Sequence, residues 1–169
     1  FMKMAPVINS LIKNGEDVEV VHTGQHYDKN MSQSIIEQLN INEPDYHLGE
    51  TTGSHAEQTA KIMVGFENIC KNLQPYMVIV AGDVNSTLAC ALVAVKLNIK
   101  VAHVESGLRS DDRSMPEEIN RIVTDHIADI LFTTEHSAND NLINEGIPEE
   151  KIHFVGNCMI DSLLSFITF

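Results

Sequence analysis

Three short polar segments that follow apolar runs carry the residues most capable of chemistry in this chain. They begin at Ala81, His103 and Met115 and read AGDVNST, HVESGLR and MPEEINR. Each contains a carboxylate, and the second and third also contain an arginine. Carboxylates can act as general acid and base when burial and mutual repulsion raise some of their pKa values, and arginine binds anionic groups. These segments are therefore the candidate reactive site.

Each carboxylate also has an ordinary structural interpretation. Asp83 could cap the helix that follows it. Ser114 and Glu117 have the spacing of a capping box, and Glu117 and Arg121 have that of an i,i+4 ion pair. Glu105 is harder to explain in this way, because it directly follows an apolar run where burial of a charge is costly without a partner or a function.

The strands and helices that position these segments alternate along the chain. Apolar runs predict strands at 18–23, 77–81, 101–104, 130–133 and 152–155. Apolar residues three and four positions apart predict helices at 4–12, 35–39, 54–73, 85–95, 119–127, 138–144 and from 158 onward. Strands separated by helices form parallel βαβ units, so the predicted fold class is α/β with a doubly wound parallel sheet. Ligands bind such sheets at the carboxyl ends of the strands.

The predicted organisation is a single domain over residues 1–169. The sequence opens inside a helical pattern, whereas a doubly wound sheet usually begins with a central strand. We therefore expect a first strand to precede Phe1. The end of the sequence, from Ser165 to Phe169, follows a helix without a stop signal.

Composition narrows the classes of function. The chain has 11 Lys and Arg residues and a formal net charge of -13, with no basic run for binding nucleic acid. No apolar stretch reaches the ~20 residues of a membrane span and no signal peptide is recognised, so a cytoplasmic location without a membrane partner is expected. The three cysteines form no C-x-x-C pair and are expected to be free thiols. No dinucleotide, P-loop or zinc motif occurs, so neither a cofactor nor a metal is expected.

The three segments together resemble the motifs of the non-hydrolysing UDP-N-acetylglucosamine 2-epimerases, which read GD followed by small hydroxyl residues, HVEAGLR and PEEANR. The same order of motifs continues at both ends of the chain, with KMAP from Lys3, TGQH from Thr23, GN at Gly156 and ID at Ile160. The resemblance covers essentially all 169 residues, which would be about half of a family chain.

This resemblance implies a Rossmann-like N-terminal half of a glycosyltransferase-B-type fold, with a C-terminal UDP-binding domain outside this sequence. The implied reaction is cofactor-free interconversion of UDP-GlcNAc and UDP-ManNAc, in which UDP is eliminated to leave 2-acetamidoglucal and then adds back. The implied partners are a UDP-sugar substrate and a second copy of the protein, bound through the N-terminal domain, with the helix from Ser54 to Leu73 as a plausible interface.

Motif positions also imply roles for individual residues. Asp83, Glu105 and Glu117 resemble the catalytic carboxylates. Lys3 and Arg121 resemble partners for phosphate or for those carboxylates. Arg109 and Asn120 are expected to support the site without touching the substrate.

Gln25 and His26 match a turn that binds a second, regulatory UDP-GlcNAc in some bacterial relatives. Gln25 and His26 are therefore expected to bind the UDP-sugar. Tyr27 and Asp28 depart from the positively charged and amide residues of that pattern, which argues against a regulatory site. His103, at the end of a buried run, is expected to be a core histidine whose polar atoms are satisfied.

Three alternatives remain open at this point. Two are enzymes: a hydrolysing epimerase that releases free ManNAc, and a glycosyltransferase of the same architecture. The third is a receiver-type signalling domain with Asp83 as phosphoacceptor. The chain offers no lysine at Val155–Asn157, where such a domain would need one after a later strand.

Overall fold

A computed structural model describes residues 2–24, 42–49 and 52–167. The chain divides into two compact units, an N-terminal unit (Phe1–Thr51 with Asn157–Phe169) and a central unit (Thr52–Gly156). The predicted helix at 35–39 and the predicted binding residues Gln25 and His26 lie outside the described residues.

From His55 onward, helices and strands alternate as the sequence predicts. The helices are α1 (Ala5–Lys13), α2 (His55–Leu73), α3 (Asn85–Lys96), α4 (Pro116–Ile127), α5 (His136–Asn144) and α6 (Cys158–Ile167). The strands are β1 (Val21–His22), β2 (Tyr46–His47), β3 (Met77–Ala81), β4 (Lys100–Ser106), β5 (Ile130–Thr133) and β6 (Ile152–Phe154). A 3-10 turn at Glu149–Lys151 precedes β6.

The N-terminal unit is built around α1. Ala5 and Ile8 are buried on one face of this helix and pack against half-buried apolar side chains, among them Val18 and Val20. Strands β1 and β2 pair in parallel, and β1 is shorter than the strand predicted at 18–23. The Ser162 hydroxyl of α6 donates to the Met2 carbonyl oxygen at 2.6 Å, which ties the last helix to the start of the chain.

The central unit contains a four-stranded parallel sheet in the order β3-β4-β5-β6. Because parallel crossovers are right-handed, this consecutive order places α3, α4 and α5 on one face of the sheet. Val101, Ala102 and Leu131 are fully buried in its strands. Three alanines of α3 are equally buried and allow the helix to pack closely. The predicted α/β class with parallel strands is confirmed.

Helix α2 begins where the sequence predicts. Ser54 accepts a hydrogen bond from the Glu57 backbone N–H at 3.3 Å, and Glu57 Oε2 accepts one from the Ser54 N–H at 2.8 Å. This capping box satisfies two donors that a helix start leaves without partners.

The carboxyl ends of β3 and β4 lie side by side. Ala81 pairs with Val104 in the register of the two strands. The register of β4 against β5 shifts between Val104 and Ser106, so Glu105 sits in a bulge. The prediction ended this strand at Val104, whereas the strand continues through Ser106. The residues that follow β3 and those that end β4 therefore share one edge of the sheet.

Two of the cysteines lie in the protein interior. Cys70 and Cys90 are free thiols and both are buried. Burial raises the pKa of the Cys90 thiol to about 12, with a smaller contribution from nearby Cys70. Across the parts of the chain that the structure describes, no helix is both long and apolar enough to cross a membrane.

Candidate active site

Asp83 and Arg121 form an ion pair beyond the end of β3. Arg121 donates from Nη2 at 2.6 Å and from Nε at 3.0 Å to the same oxygen, Asp83 Oδ2. The Asp83 side chain remains 30% exposed and is therefore accessible to a ligand. Helix α3 begins after Val84, whose side chain offers no capping atom, so the interpretation of Asp83 as a helix cap is wrong.

Glu118 is the second partner of Arg121. Arg121 Nη1 donates to Glu118 Oε2 at 2.7 Å, and the backbone N–H groups of Ser110 and Asp111 donate to the same carboxylate at 3.0 and 3.1 Å. Glu118 is only 1% exposed. Burial alone would raise the pKa of Glu118, but hydrogen bonds from Ser110, Arg121 and Asp111 outweigh it and hold the pKa below its usual value.

This lowered pKa predicts how stability depends on pH. A carboxylate whose pKa is lower in the folded state stabilises the fold above its unfolded pKa, near 4.5, and loses that contribution as the pH falls through the folded value. We expect Glu118→Gln to reduce stability at pH 7 and to flatten its dependence on pH below about 5. Unfolding midpoints of wild type and variant between neutral and acidic pH test this, and parallel curves would contradict it.

Neither structural interpretation of Glu117 holds. Helix α4 begins after Met115 with Pro116 in its first turn, and the Ser114 hydroxyl donates instead to Asp112 Oδ1 at 2.6 Å, so the predicted capping box is wrong. Arg121 pairs with Asp83 and Glu118, so the predicted i,i+4 pair with Glu117 is wrong as well. Glu117 is half-buried in the first turn of α4, one helical turn before Arg121.

Glu105 has a left-handed backbone conformation with φ of +69°. A residue other than glycine rarely adopts this conformation, and it persists only where the surrounding structure enforces it. The bulge in β4 places this half-buried residue at the strand end beside β3. Strained residues of this kind are concentrated in active sites and ligand clamps.

A buried polar chain lies beneath these strand ends. His103 is fully buried, and its Nε2 donates to the Gly82 carbonyl oxygen at 2.8 Å. Its Nδ1 lies 2.6 Å from Asp125 Oδ1. Asp125 Oδ2 accepts from the Gly107 N–H at 3.1 Å and from Arg109 Nη1 at 2.8 Å. The expectation that His103 is a satisfied core histidine is confirmed.

Arg109 continues this chain outward. Its Nε and Nη2 each donate to Glu145 at 2.7 Å in a two-pronged pair. Burial alone would lower the pKa of Arg109, but Glu145 and Asp125 outweigh burial and raise it. These contacts connect β4, α4 and α5 around Arg109.

Asn120 connects helix α4 to the Asp83 turn. Its Nδ2 donates to the Asp83 carbonyl oxygen at 2.9 Å and to Asn85 Oδ1 at 3.2 Å. Asn85 in turn contacts His55 Nδ1 at 2.9 Å and donates to Gln58 at 3.0 Å. Asn120 thus fixes the backbone that carries Asp83.

Not every predicted site residue falls in the central unit. Lys3 lies in the N-terminal unit, in the turn before α1. Sequence reasoning did not assign Glu118, Asp125 or Glu145 to the site. For Glu118 and Asp125 the sequence does contain an indication. Both are spaced three or four residues from Arg121 and therefore lie on the same face of α4 as that arginine.

An open pocket of about 480 Å³ lies between the helix starts of the central unit. Its lining is mostly apolar and comes from α2, α3 and α4: His55, Ala56, Thr59, Ala60, Met63, Asn85, Pro116, Ile119 and Asn120. Among the described residues, no group of three or more His, Cys, Asp or Glu side chains is arranged to hold a metal ion.

Comparison with known proteins identifies the family. The family model described as UDP-N-acetylglucosamine 2-epimerase matches residues 10–168. The chain is 48% identical to the UDP-N-acetylglucosamine 2-epimerase of Methanocaldococcus jannaschii, over 96% of the chain and 44% of that protein. It is 47% identical to a UDP-2,3-diacetamido-2,3-dideoxy-D-glucuronate 2-epimerase of Pseudomonas aeruginosa, over 98% of the chain and 48% of that protein.

Solved structures agree with the sequence matches. The crystal structure of the M. jannaschii UDP-GlcNAc 2-epimerase in complex with UDP-GlcNAc and UDP superposes with a TM-score of 0.93 at 48% identity, over 97% of this chain and 45% of that one. The Neisseria meningitidis UDP-GlcNAc 2-epimerase bound to UDP-GlcNAc superposes with a TM-score of 0.92 at 32% identity, over 99% of this chain and 46% of that one. These neighbours have the glycosyltransferase-B fold.

The chain spans less than half the length of the relatives it matches. Within that span, a match over residues 10–168 does not fit the receiver-type alternative. With its strand-end carboxylates in an α/β framework, the chain belongs to the UDP-N-acetylglucosamine 2-epimerase family.

Proposed function

We propose that this chain is the N-terminal domain of an enzyme that interconverts UDP-GlcNAc and UDP-ManNAc by elimination and re-addition of UDP. The observation that carries the proposal is the pairing of Asp83 with Arg121 at the edge of the sheet where the strained residue Glu105 lies near the end of the adjacent strand. The 48% identity to a relative named for this activity supports it.

The reaction needs proton transfer at C2 and cleavage at C1. A carboxylate removes the C2 proton, the bond from C1 to the UDP oxygen breaks, and a C1–C2 double bond forms as UDP leaves. UDP then adds back to C1 while an acid delivers a proton to the opposite face of C2. Asp83, Glu105 and Glu117 are the proposed acid and base groups, since carboxylates can fill both roles in suitable environments.

Cations must balance the negative charge of the substrate and of the departing UDP. Arg121 already pairs with Asp83 and Glu118, so its proposed role is to orient Asp83 rather than to bind phosphate. Lys3 is the proposed phosphate contact. The proposed regulatory contacts, Gln25 and His26, rest on the sequence motif alone.

Proton NMR of UDP-GlcNAc with the full-length enzyme in D2O tests this function. Interconversion with UDP-ManNAc, together with deuterium at C2 and no free sugar, is the expected result. Release of ManNAc and UDP would favour a hydrolysing epimerase. Transfer of the sugar without exchange at C2 would favour a glycosyltransferase and contradict the proposal.

The identity of the sugar needs a separate assay. The chain is nearly as similar to the relative named for UDP-2,3-diacetamido-2,3-dideoxy-D-glucuronate as to the one named for UDP-GlcNAc. Both names describe C2 epimerases of UDP-sugars, so the proposed acid and base groups would serve either substrate. A comparison of kcat/KM for the two UDP-sugars decides between them. If the diacetamido sugar is strongly preferred, it becomes the proposed substrate in place of UDP-GlcNAc.

A second domain is expected to complete the active site. Residues 1–169 are proposed to form one domain, and the relatives are more than twice as long as the part of them that this chain matches. We therefore expect the 169-residue chain alone to bind UDP weakly and to show no turnover. Isothermal titration with UDP and the NMR assay measure both, and turnover by the isolated chain would contradict this.

The apolar faces of α2 and α4 support a homodimer. Val64 on α2 is 65% exposed and Ile119 on α4 is 41% exposed, and Ile119 shares the open pocket with Ala56 and Ala60. Exposed apolar patches commonly mark interaction sites. Val64→Glu and Ile119→Glu are expected to shift the full-length enzyme from dimer to monomer in light scattering, whereas Ile143→Glu on α5 serves as an exposed control. A wild-type monomer would refute the homodimer.

A cytoplasmic location is part of the same proposal. The free thiols of Cys70 and Cys90 support it, because a reducing compartment keeps thiols unpaired.

A further inference from the structure

We infer that Asp125 is a positioning residue that fixes the backbone carrying Glu105 and, through His103, the turn carrying Asp83. The inference rests on the proposed function, because its effect is on the proposed acid and base groups. Asp125 itself lies in the third turn of α4, is 1% exposed and cannot meet a substrate. It acts through its partners only.

The contact with the Glu105 segment is direct. Asp125 Oδ2 accepts the Gly107 N–H at 3.1 Å, two residues beyond Glu105. Both Glu105 and Gly107 have positive φ, at +69° and +78°, so this segment departs from strand geometry. A strained backbone conformation persists only where contacts with the surrounding structure enforce it. The hydrogen bond from Gly107 to a fixed, buried acceptor on α4 is such a constraint.

The contact with the Asp83 turn runs through His103. Asp125 Oδ1 lies 2.6 Å from His103 Nδ1, and His103 Nε2 donates to the Gly82 carbonyl oxygen at 2.8 Å. Gly82 directly precedes Asp83. One carboxylate therefore holds the ends of both adjacent strands, β3 and β4, in a fixed relation.

The charges around Asp125 explain why a carboxylate can be buried here. It faces the imidazole of His103 and the guanidinium of Arg109, and Arg109 is also paired with Glu145. A buried carboxylate is tolerated when cationic and hydrogen-bonding partners surround it. Asp125 thus has two separable roles: it accepts the hydrogen bond from Gly107, and its negative charge balances the positive charge of Arg109.

Two substitutions distinguish the position of the acceptor oxygen of Asp125 from the negative charge of its side chain. Asp125→Asn keeps an oxygen that can accept from Gly107 and Arg109, while its amide can donate to Nδ1 of a neutral His103. Asp125→Glu keeps the charge, but its extra methylene displaces the acceptor from Gly107. If Asp125 positions Glu105, Asp125→Asn retains most of kcat and Asp125→Glu lowers kcat by roughly ten- to a hundredfold, the scale of small misplacements in an active site.

A matched control lies at the opposite end of the same strand. Asp129 Oδ2 accepts the Val101 N–H of β4 at 2.8 Å, far along the strand from Glu105. Asp129→Glu makes the same chemical change to a carboxylate that holds β4, and it should leave kcat unchanged. Thermal melts of all variants establish the folded fraction under assay conditions.

A double-mutant cycle with Glu105→Gln distinguishes positioning from a general loss of folded protein. If Asp125 acts through Glu105 and the Asp83 turn, Asp125→Glu lowers kcat by a smaller factor in the Glu105→Gln background than in wild type. A loss of folded protein would instead multiply in both backgrounds and overturn the inference. Full activity of Asp125→Glu, or a loss in Asp125→Asn without one in Asp125→Glu, would also overturn it.

The same measurements keep this inference apart from the proposed function. Wild-type enzyme in D2O must first exchange the C2 proton of the UDP-sugar, and failure at that step counts against the function. Wild-type exchange combined with full exchange in Asp125→Glu counts against Asp125 alone. Equal loss in both Asp125 variants contradicts the expected retention of kcat in Asp125→Asn and also counts against Asp125 alone.

Discussion

Glu105→Gln in the full-length enzyme is expected to lower kcat by roughly 10²- to 10⁴-fold, the usual contribution of a general acid or base. Glutamine preserves the size of the side chain but cannot accept or deliver the C2 proton. KM is expected to change little, because the lost interaction belongs to the transition state. Initial rates of UDP-sugar epimerisation and deuterium incorporation at C2 measure the effect.

The fold should survive this substitution. The left-handed backbone at position 105 is no worse for glutamine than for glutamate, so the change adds no new strain. Glu149→Gln, at an exposed glutamate in the 3-10 turn, is a matched control that should leave both rate and melting temperature unchanged. A Glu105→Gln enzyme that melts early yet turns over normally would show that Glu105 has a structural role only.

Asp83→Asn is a less direct test of the same site. Asparagine at this position also weakens the ion pair with Arg121 and leaves Glu118 as the remaining carboxylate partner of that arginine. A fall in rate could then reflect a misplaced Arg121. Substitution of Glu105 leaves the two ion pairs of Arg121, with Asp83 and with Glu118, in place, so it is the more direct test of proton transfer.

Much of the central sheet was predictable from apolar runs. MVIVA gives β3 with its observed limits, because a strand covered on both faces has no polar interruption. The same rule ended β4 too early, since a charged residue at Glu105 interrupts the run while the backbone continues through a bulge to Ser106. Strand β2, only two residues long, has no periodicity for a pattern to detect.

The start of α4 shows how local signals can compete. Ser114 and Glu117 fit a capping box, but Pro116 favours the first turn of a helix because it has no N–H to satisfy. The helix therefore begins after Met115, and Ser114 lies one residue too early to cap it. Glu117 then keeps only the general preference for an acidic residue in the first turn of a helix.

The candidate site was predictable to the extent that topology alone brings its residues together. Residues after β3 and at the end of β4 had to meet at one edge of a parallel sheet, and they do. The partners of Arg121 and Asp125 could not be predicted in this way. A charged helix face is usually solvated, and only tertiary packing reveals that Glu118 and Asp125 are buried.

The second large effect is expected on stability, from Gly107→Ala. Gly107 has φ of +78°, and an added Cβ would lie 2.5 Å from the backbone oxygen of Ala138 and 3.0 Å from its carbonyl carbon. The left-handed conformation costs a residue with a side chain about 1–2 kcal/mol, and overpacking adds about 1–3 kcal/mol. The free energy of unfolding should therefore fall by roughly 2–5 kcal/mol, as measured by urea denaturation.

Gly146→Ala separates the two contributions. Gly146 has a similar φ of +83°, but an added Cβ there would meet no atom within 4 Å. This variant should lose only the backbone contribution of about 1–2 kcal/mol. Equal losses in the two variants would show that the contact with α5 does not constrain the Glu105 segment. A clearly larger loss at Gly107 would show that the backbone of α5 leaves no room for a side chain at this position. The nearest atoms belong to the helix backbone at Ala138, which cannot move aside as a flexible side chain could.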